Sequence, residues 1–135
     1  MDKISETMFD RISDIRLLTD RNNVILSEPS PTEKKLEYLN SVLRIDRHTY
    51  DLAAIFDNNG KEIGDTSNAS VIGTDRSHES FFKSAVRGVI YFDKVPVISN
   101  NSLNHYVIRV AGPLYATNGK IYGVLLLEFP FSKIS

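Results

Sequence analysis

Cysteine is absent from this chain of 135 residues. Its absence excludes a disulfide framework, a thiolate zinc site and a cysteine nucleophile, and it does not report the compartment. Charge excess is missing too: 16 Lys and Arg against 17 Asp and Glu leave a formal −1. No field of one sign would steer the domain to nucleic acid or to an anionic membrane surface. No stretch approaches the ~20 apolar residues of a membrane span; the longest candidate, 122–129, is short and contains Glu128. The opening MDKISETMFD is charged and polar, so a signal-peptide pattern is also lacking. There is no phosphate-cradling glycine-rich loop, internal repeat, low-complexity tract or interdomain linker. The length suits one compact domain.

What is present is organised around Ile72 to Gly88, IGTDRSHESFFKSAVRG. A polar loop leads into a short helix, with Asp75 and Ser77 as N-cap types and Gly88 as the stop. Phe81, Phe82, Ala85 and Val86 form one apolar patch at helical spacing. A polar loop feeding a helix in front of a β-meander suits a small-molecule pocket. It equally suits a solvated loop capping an ordinary amphipathic helix.

Before this stretch, residues 3–21 place Ile4, Met8, Ile12, Ile15 and Leu18 on one helical stripe, widened by Phe9 and Leu17. The stripe fits a helix packed on its own domain, or a narrow seam for a partner helix in a dimer. A second helix is expected at 31–46. Ser30 is its N-cap, Pro31 its first residue and Glu33 completes a capping box, while Leu36, Leu39, Val42 and Leu43 supply the buried face. DLAAIF at 51–56 is apolar on both faces and reads as a central strand. The Asn-Gly turn at 57–60 returns a more polar strand, 61–65, nearer an edge.

After the organising stretch, strands are expected at 89–92 and 95–99, the latter an edge because of Pro96. NNSLN at 100–104 reads as a turn. In 105–111, Tyr106, Ile108 and Val110 point one way and Val107, Arg109 and Ala111 the other; Gly112-Pro113 ends or bends the strand. A second Asn-Gly turn precedes the last and most apolar strand, 120–129. The expected core includes Leu52, Ala54, Ile55, Phe56, Ile108, Val110, Val124, Leu125 and Leu127. Helices before and within antiparallel hairpins define an α+β domain. The chain opens inside an amphipathic helix and ends just after its last strand, which reads as a domain of a longer polypeptide.

Chemistry-bearing residues are few. His78, Glu79, His105 and Asp75 lack the spacing of a metal site, and Ser77 and Ser80 lack the glycines of a nucleophile elbow. No catalytic residue, metal or cofactor is expected. Asn68-Ala69-Ser70 and Asn100-Asn101-Ser102 match the N-glycosylation sequon as exposed loops. Arg109, mid-strand among apolar residues, requires a partner when buried: Glu79, Glu128, Asp93 or a ligand.

Four segments, in order, resemble the Cache family of extracytoplasmic, PAS-like sensor domains. These are AAIFDNNGKEI, VIGTDRSHESFFKSAVRG, YFDKVPVIS and VIRVAGPLYATNGKIYGVLLLEF. The resemblance covers about two thirds of the chain. It implies a five-stranded antiparallel sheet, preceded by a long helix and a second helix, with a short helix over the sheet. The domain would span 1–135, with helices in 1–47 and the sheet and pocket in 51–130. It implies a location outside the cytoplasmic membrane in a receptor, a histidine kinase or a methyl-accepting chemotaxis protein, with membrane spans outside this chain; the stripe of Ile4, Met8, Ile12 and Ile15 adds the expectation of a homodimer in that receptor. The ligand would be a small polar molecule. Its expected lining is His78, Glu79, Phe82, Tyr91, Ser99, Tyr106 and Arg109. Where the family often has an arginine two residues before the aromatic pair, Glu79 stands here, which argues against carboxylate ligands. The alternatives are a ligand-free dimerisation or protein-interaction module of the same fold and a cytosolic PAS-type domain.

Overall fold

A computed structural model describes residues 3–27, 30–45, 49–67, 72–99 and 102–133. Two helices lead: α1 (Lys3–Leu18) and α2 (Thr32–Ile45). They are followed by β1 (Leu52–Asp57), β2 (Glu62–Asp65), α3 (Ser80–Ala85), β3 (Tyr91–Phe92), β4 (Val97–Ser99), β5 (Ser102–Tyr115) and β6 (Ile121–Pro130). The sheet runs β2-β1-β6-β5-β3, and β4 pairs with β5 beside β3. All pairings are antiparallel.

The two central strands, β1 and β6, are apolar on both faces because both faces are covered. Ala53, Ile55, Ile108, Val110, Leu125, Leu127 and Phe129 form a core with Ile15, Leu18 and Leu39 of the leading helices. We call this the helix face. Leu52, Ala54, Phe56, Ala111, Val124 and Leu126 pack on the opposite side with Phe81, Phe82 and Ala85 of α3. This is the loop face. All nine residues expected in the core are buried.

Several local expectations are corrected. β5 does not end at Gly112-Pro113 but continues to Tyr115. Asp93 N donates to Arg109 O, so odd-numbered residues of β5 direct their backbone groups towards β3 and away from β6. β3 reaches only as far as Ala111. The imino nitrogen of Pro113 therefore faces an unpaired edge, and no ladder bond is lost. Gly112 is the seat of α1: a Cβ there would lie 3.1 Å from Ile15 and 3.4 Å from Thr19.

The expected turn at 100–104 is shorter, since Ser102 already pairs with Ser99 in the β4–β5 ladder; Asn100 and Asn101 lie outside the described residues, as do Asn68, Ala69 and Ser70. The stripe on α1 is divided. Ile15 and Leu18 are buried in the core, whereas Met8, Phe9 and Leu17 are exposed. Phe9 and Leu17 thus do not widen the face that packs on this domain. Among the described residues no helix is long and apolar enough to cross a membrane.

Candidate functional site

The loop that opens the organising stretch is held by backbone pairing rather than by side-chain caps. Glu62 N donates to Thr74 O at 3.0 Å, Gly73 N to Glu62 O at 2.8 Å and Arg76 N to Gly60 O at 2.8 Å. Residues 73–76 thus lie along the outer edge of β2, with Lys61 and Asp75 bridged. Gly60 permits this contact. Its φ is 89°, and a Cβ would approach Ser77 Cβ to 2.5 Å. Neither Asp75 nor Ser77 caps α3. Asp75 instead accepts from Ser77 N at 2.9 Å, and Glu79 occupies the cap position without a side-chain cap bond. Its carboxylate is committed elsewhere. Gly88, with φ 91°, stops the helix turn as expected.

This path delivers Arg76 onto the loop face. The guanidinium is buried, 4.9 Å from the Phe81 ring centre and 5.7 Å from that of Phe56, a stacked placement suited to a weakly hydrated planar cation. Arg76 Nε and Nη2 both donate to Glu79. Arg109, from the middle of β5, reaches the same carboxylate, with Nη1 donating to Glu79 Oε1 at 2.8 Å. Its Nε and Nη2 form a fork on Asp93 at 2.8 and 3.0 Å, and its backbone N donates to Asp93 Oδ2 at 2.8 Å. Tyr91 Oη donates to Asp93 Oδ1 at 2.8 Å. The partner of Arg109 is therefore Glu79 and Asp93 together. Glu128, its cross-strand neighbour, instead accepts from Ser99 Oγ at 2.9 Å.

Burial works against the charge of these groups, and their partners decide the outcome. Burial pushes the Glu79 carboxyl up, but the hydrogen bonds and charges of Arg76 and Arg109 outweigh it and hold it below the ordinary glutamate value. Burial pulls Arg109 down, but Asp93 and Glu79 raise it further above its usual value. Burial and the neighbouring Asp93 raise Tyr91. Two carboxyls lack such compensation. Glu62 is pushed up to about 8 by burial and by hydrogen bonding and repulsion from Asp65. Glu128 is raised by burial, which Ser99, Arg76 and Arg109 offset only in part.

Of the residues expected to line a pocket, Glu79, Tyr91, Ser99 and Arg109 come together on the loop face, and Phe82 is buried beside them in the α3 core. His78 is exposed. Tyr106 is 55% exposed and shares the parity of Ile108 and Val110, on the opposite side of β5 from Arg109. Neither joins the cluster. His105 is held by Asp51 at 2.6 Å, apart from His78, and among the described residues no three His, Cys, Asp or Glu side chains converge as metal ligands. Sequence reasoning named Asp93 and Glu128 only as candidate partners of Arg109, and it passed over Arg76, Glu62 and Asp65 as members of the site. A separate groove of about 310 Å³ lies at the helix end, lined by Ile25, Lys34, Glu37, Tyr38 and Ser41.

No protein-family model matches the chain, and no curated protein matches its sequence. Solved structures do match in fold. The sensor domain of the Vibrio cholerae histidine kinase DctB superposes with a TM-score of 0.76 at 16% identity, over 98% of this chain and 52% of that one. The ligand-binding domain of the Campylobacter jejuni chemoreceptor Tlp3 with L-norvaline gives 0.71 at 20% identity, over 98% and 54%. The ligand-binding domain of the Pseudomonas aeruginosa amino acid chemoreceptor PctC with GABA gives 0.73 at 12%, over 97% and 56%. The fold is therefore that of the sensor domains of histidine kinases and chemoreceptors. It is the Cache-type, PAS-like α+β architecture, and this chain spans about half the length of the solved structures it matches.

Proposed function

We propose that this domain is the extracytoplasmic, ligand-binding sensor of a membrane receptor and carries no catalytic role of its own. The observation that carries the reading is the buried, charge-rich cluster on the loop face. A fold that needed only stability would gain little from taking two guanidiniums and several carboxylates out of water, because well-packed apolar residues commonly do as well or better. The ligand is a small polar molecule contacting Glu79, Tyr91, Ser99 and Arg109, with Arg76 added to the set. Both guanidiniums on this face already hold carboxylates, so a simple dicarboxylate would have to displace Glu79 or Asp93 and should bind weakly.

Transmission to the rest of the receptor has a structural basis in β5. Arg109 faces the ligand side, and three residues on Gly112 seats Ile15 of α1 and Thr19 just past its end on the other. A shift of β5 that repacks Arg109 is passed to the helix that would continue towards the membrane. The parent is a two-component sensor histidine kinase, a reading supported by the likeness to the histidine kinase DctB; the chemoreceptor alternative is favoured by Tlp3 and PctC. The test is a thermal-shift screen of amino acids, amines, polyols and organic acids on this chain, repeated with Arg109→Met. A hit in one class that is lost in the variant supports the reading. Tight binding of a dicarboxylate overturns the specificity, and failure of every class moves the assignment to a ligand-free interaction module.

A further inference from the structure

Glu79 is held from two directions. Arg76 of the preceding loop donates Nε and Nη2 to its carboxylate, and Arg109 of β5 donates Nη1. One oxygen, Oε1, accepts from both guanidiniums. Both cations also lie against one ring, Phe81, at 4.9 and 5.4 Å from its centre. Two guanidiniums gathered on a largely buried face repel each other unless an anion stands between them. Glu79 is that anion. It stands at the cap position of α3 but makes no side-chain cap bond, so the helix makes no use of its carboxylate.

Neither cation depends on Glu79 for its place. Arg109 has its fork and its backbone N on Asp93. Arg76 is delivered by the bond from its backbone N to Gly60 O, and its guanidinium is stacked on Phe81 and Phe56. A planar carboxylate therefore meets donors that are already positioned for it. The place it fills is open to solvent, since the Glu79 side chain is 23% exposed against 5% and 11% for the two arginines. We infer that Arg76 and Arg109 form a carboxylate site that the chain fills with its own Glu79. The side chain is a tethered occupant: it latches the loop that carries Arg76 to β5 and shuts acidic molecules out. Tethering gives it an effective concentration on the order of millimolar or above, which a free carboxylate must exceed. That this occupancy sets the specificity of the domain rests on the reading of the loop face as the ligand site.

The experiment is thermal unfolding of this chain and of Glu79→Ala at neutral pH in sodium formate or acetate, with sodium chloride of equal ionic strength and acetamide as controls. Glu79→Ala should unfold below the parent in chloride. Formate or acetate should raise its midpoint saturably, by about 3 °C or more at roughly ten times the half-saturating concentration. The parent, whose site is filled, should move by less than about 1 °C, and acetamide should not replace acetate. The response should vanish in Glu79→Ala combined with Arg109→Met, which lacks one guanidinium, and in Glu79→Gln, which fills the space with a neutral group. An equal response in Glu79→Ala and Glu79→Gln, or in the parent, is a diffuse anion effect and overturns the site. A stable Glu79→Ala indifferent to every anion also overturns it, since Arg76 has then turned to another carboxyl. A Glu79→Ala chain that is unfolded in chloride and folds in acetate supports the site; one unfolded in every anion overturns it, because the arginines then have no place of their own. The wider ligand screen separates the two readings. Hits on the parent without an acetate response in Glu79→Ala leave the sensor standing and remove the internal carboxylate. An acetate response with no hit of any class on the parent keeps the internal carboxylate and removes the sensor.

Discussion

Arg109 is the residue on which the loop face depends most, and Arg109→Met tests that directly. Methionine keeps the length and the contact with the Phe81 ring, now 5.4 Å from the guanidinium, and it keeps the backbone N–H on Asp93. It removes three side-chain hydrogen bonds, two to Asp93 and one to Glu79. Asp93 is buried and among the described residues retains Tyr91 and the backbone donor; Glu79 retains Arg76. Stripping one partner from a buried ion pair costs about 3–5 kcal/mol, and the retained donors place the expectation in the lower half of that range. Urea unfolding followed by far-ultraviolet circular dichroism at pH 7 should show a lower midpoint with an unchanged slope. The loss should depend on pH with a defined sign. Glu79 is depressed below its ordinary value of 4.5, so its stabilisation is full above that value and is lost as pH falls through the depressed folded value. The gap between parent and variant therefore narrows on acidification below about pH 4.5. Arg109→Lys, which keeps the charge but not the fork, should fall between the two. A loss under about 1 kcal/mol at pH 7, or a gap that widens in acid, would refute the view of Arg109 as the charge that holds this face together.

Other outcomes follow from single contacts. Leu125, fully buried on central β6, should cost about 2–5 kcal/mol when truncated to Ala; denaturation showing less than about 1 kcal/mol would put β6 at an exposed edge. Gly60→Ala combines a φ of 89° with a clash on Ser77, and should cost more than about 1 kcal/mol while exposing 72–79 to limited proteolysis; unchanged cleavage would mean that the loop is not held at Gly60. Between the ordinary 4.5 and about 8 for Glu62, the folded state holds one proton more than the unfolded. Stability should therefore fall as pH rises across that window, by up to about 1.4 kcal/mol per unit. Glu62→Gln should flatten the slope, and an equally steep profile in the variant would assign it elsewhere. In the proposed dimeric membrane receptor, a cysteine at exposed Met8 should crosslink between protomers and one at buried Ile15 should not; equal crosslinking at both would deny that α1 packs on its own sheet.

The sheet was largely legible because its signals are local. Alternation with both faces apolar marks β1 and β6 as central, and the Asn-Gly turns fix their partners. The loop face was harder for reasons that are physical. Arg76 reads as a surface residue of a polar loop; its burial follows from pairing with Gly60, which only the fold brings near. β2 does lie at the edge of the sheet, as its polar sequence suggests, but Glu62 is buried there because residues 73–76 pair along that outer edge. Glu128 did carry a signal, a lone carboxylate in the most apolar strand, of the same kind that drew attention to Arg109. Tyr106 could have been excluded from Arg109's surroundings by strand parity alone, since residues 106 and 109 point to opposite faces.

Helix α1 and the loop face are linked through a strand, β5, that is short of support on one side. β5 is held by β6 from Val107 to Tyr115, but among the described residues its other edge has only the two residues of β3 and the three of β4. Arg109 compensates for that gap, since its side chain and backbone both bind Asp93 at the end of β3. Under the proposed sensor reading, a ligand that drew Glu79 or Asp93 away from Arg109 would loosen the β3–β5 junction at the rung next to the one that faces Phe92. Phe92 packs into the helix-face core with Phe129, their ring centres 6.1 Å apart, and Arg11 of α1 lies 5.9 Å from the Phe129 ring. Close-packed cores respond to such changes by shifting between discrete arrangements rather than by yielding continuously. The charge cluster on one side of the sheet and the seat of α1 on the other thus share one short junction, and under the proposed sensor reading a ligand that bound one arrangement of that junction better than another would move the helix without touching it.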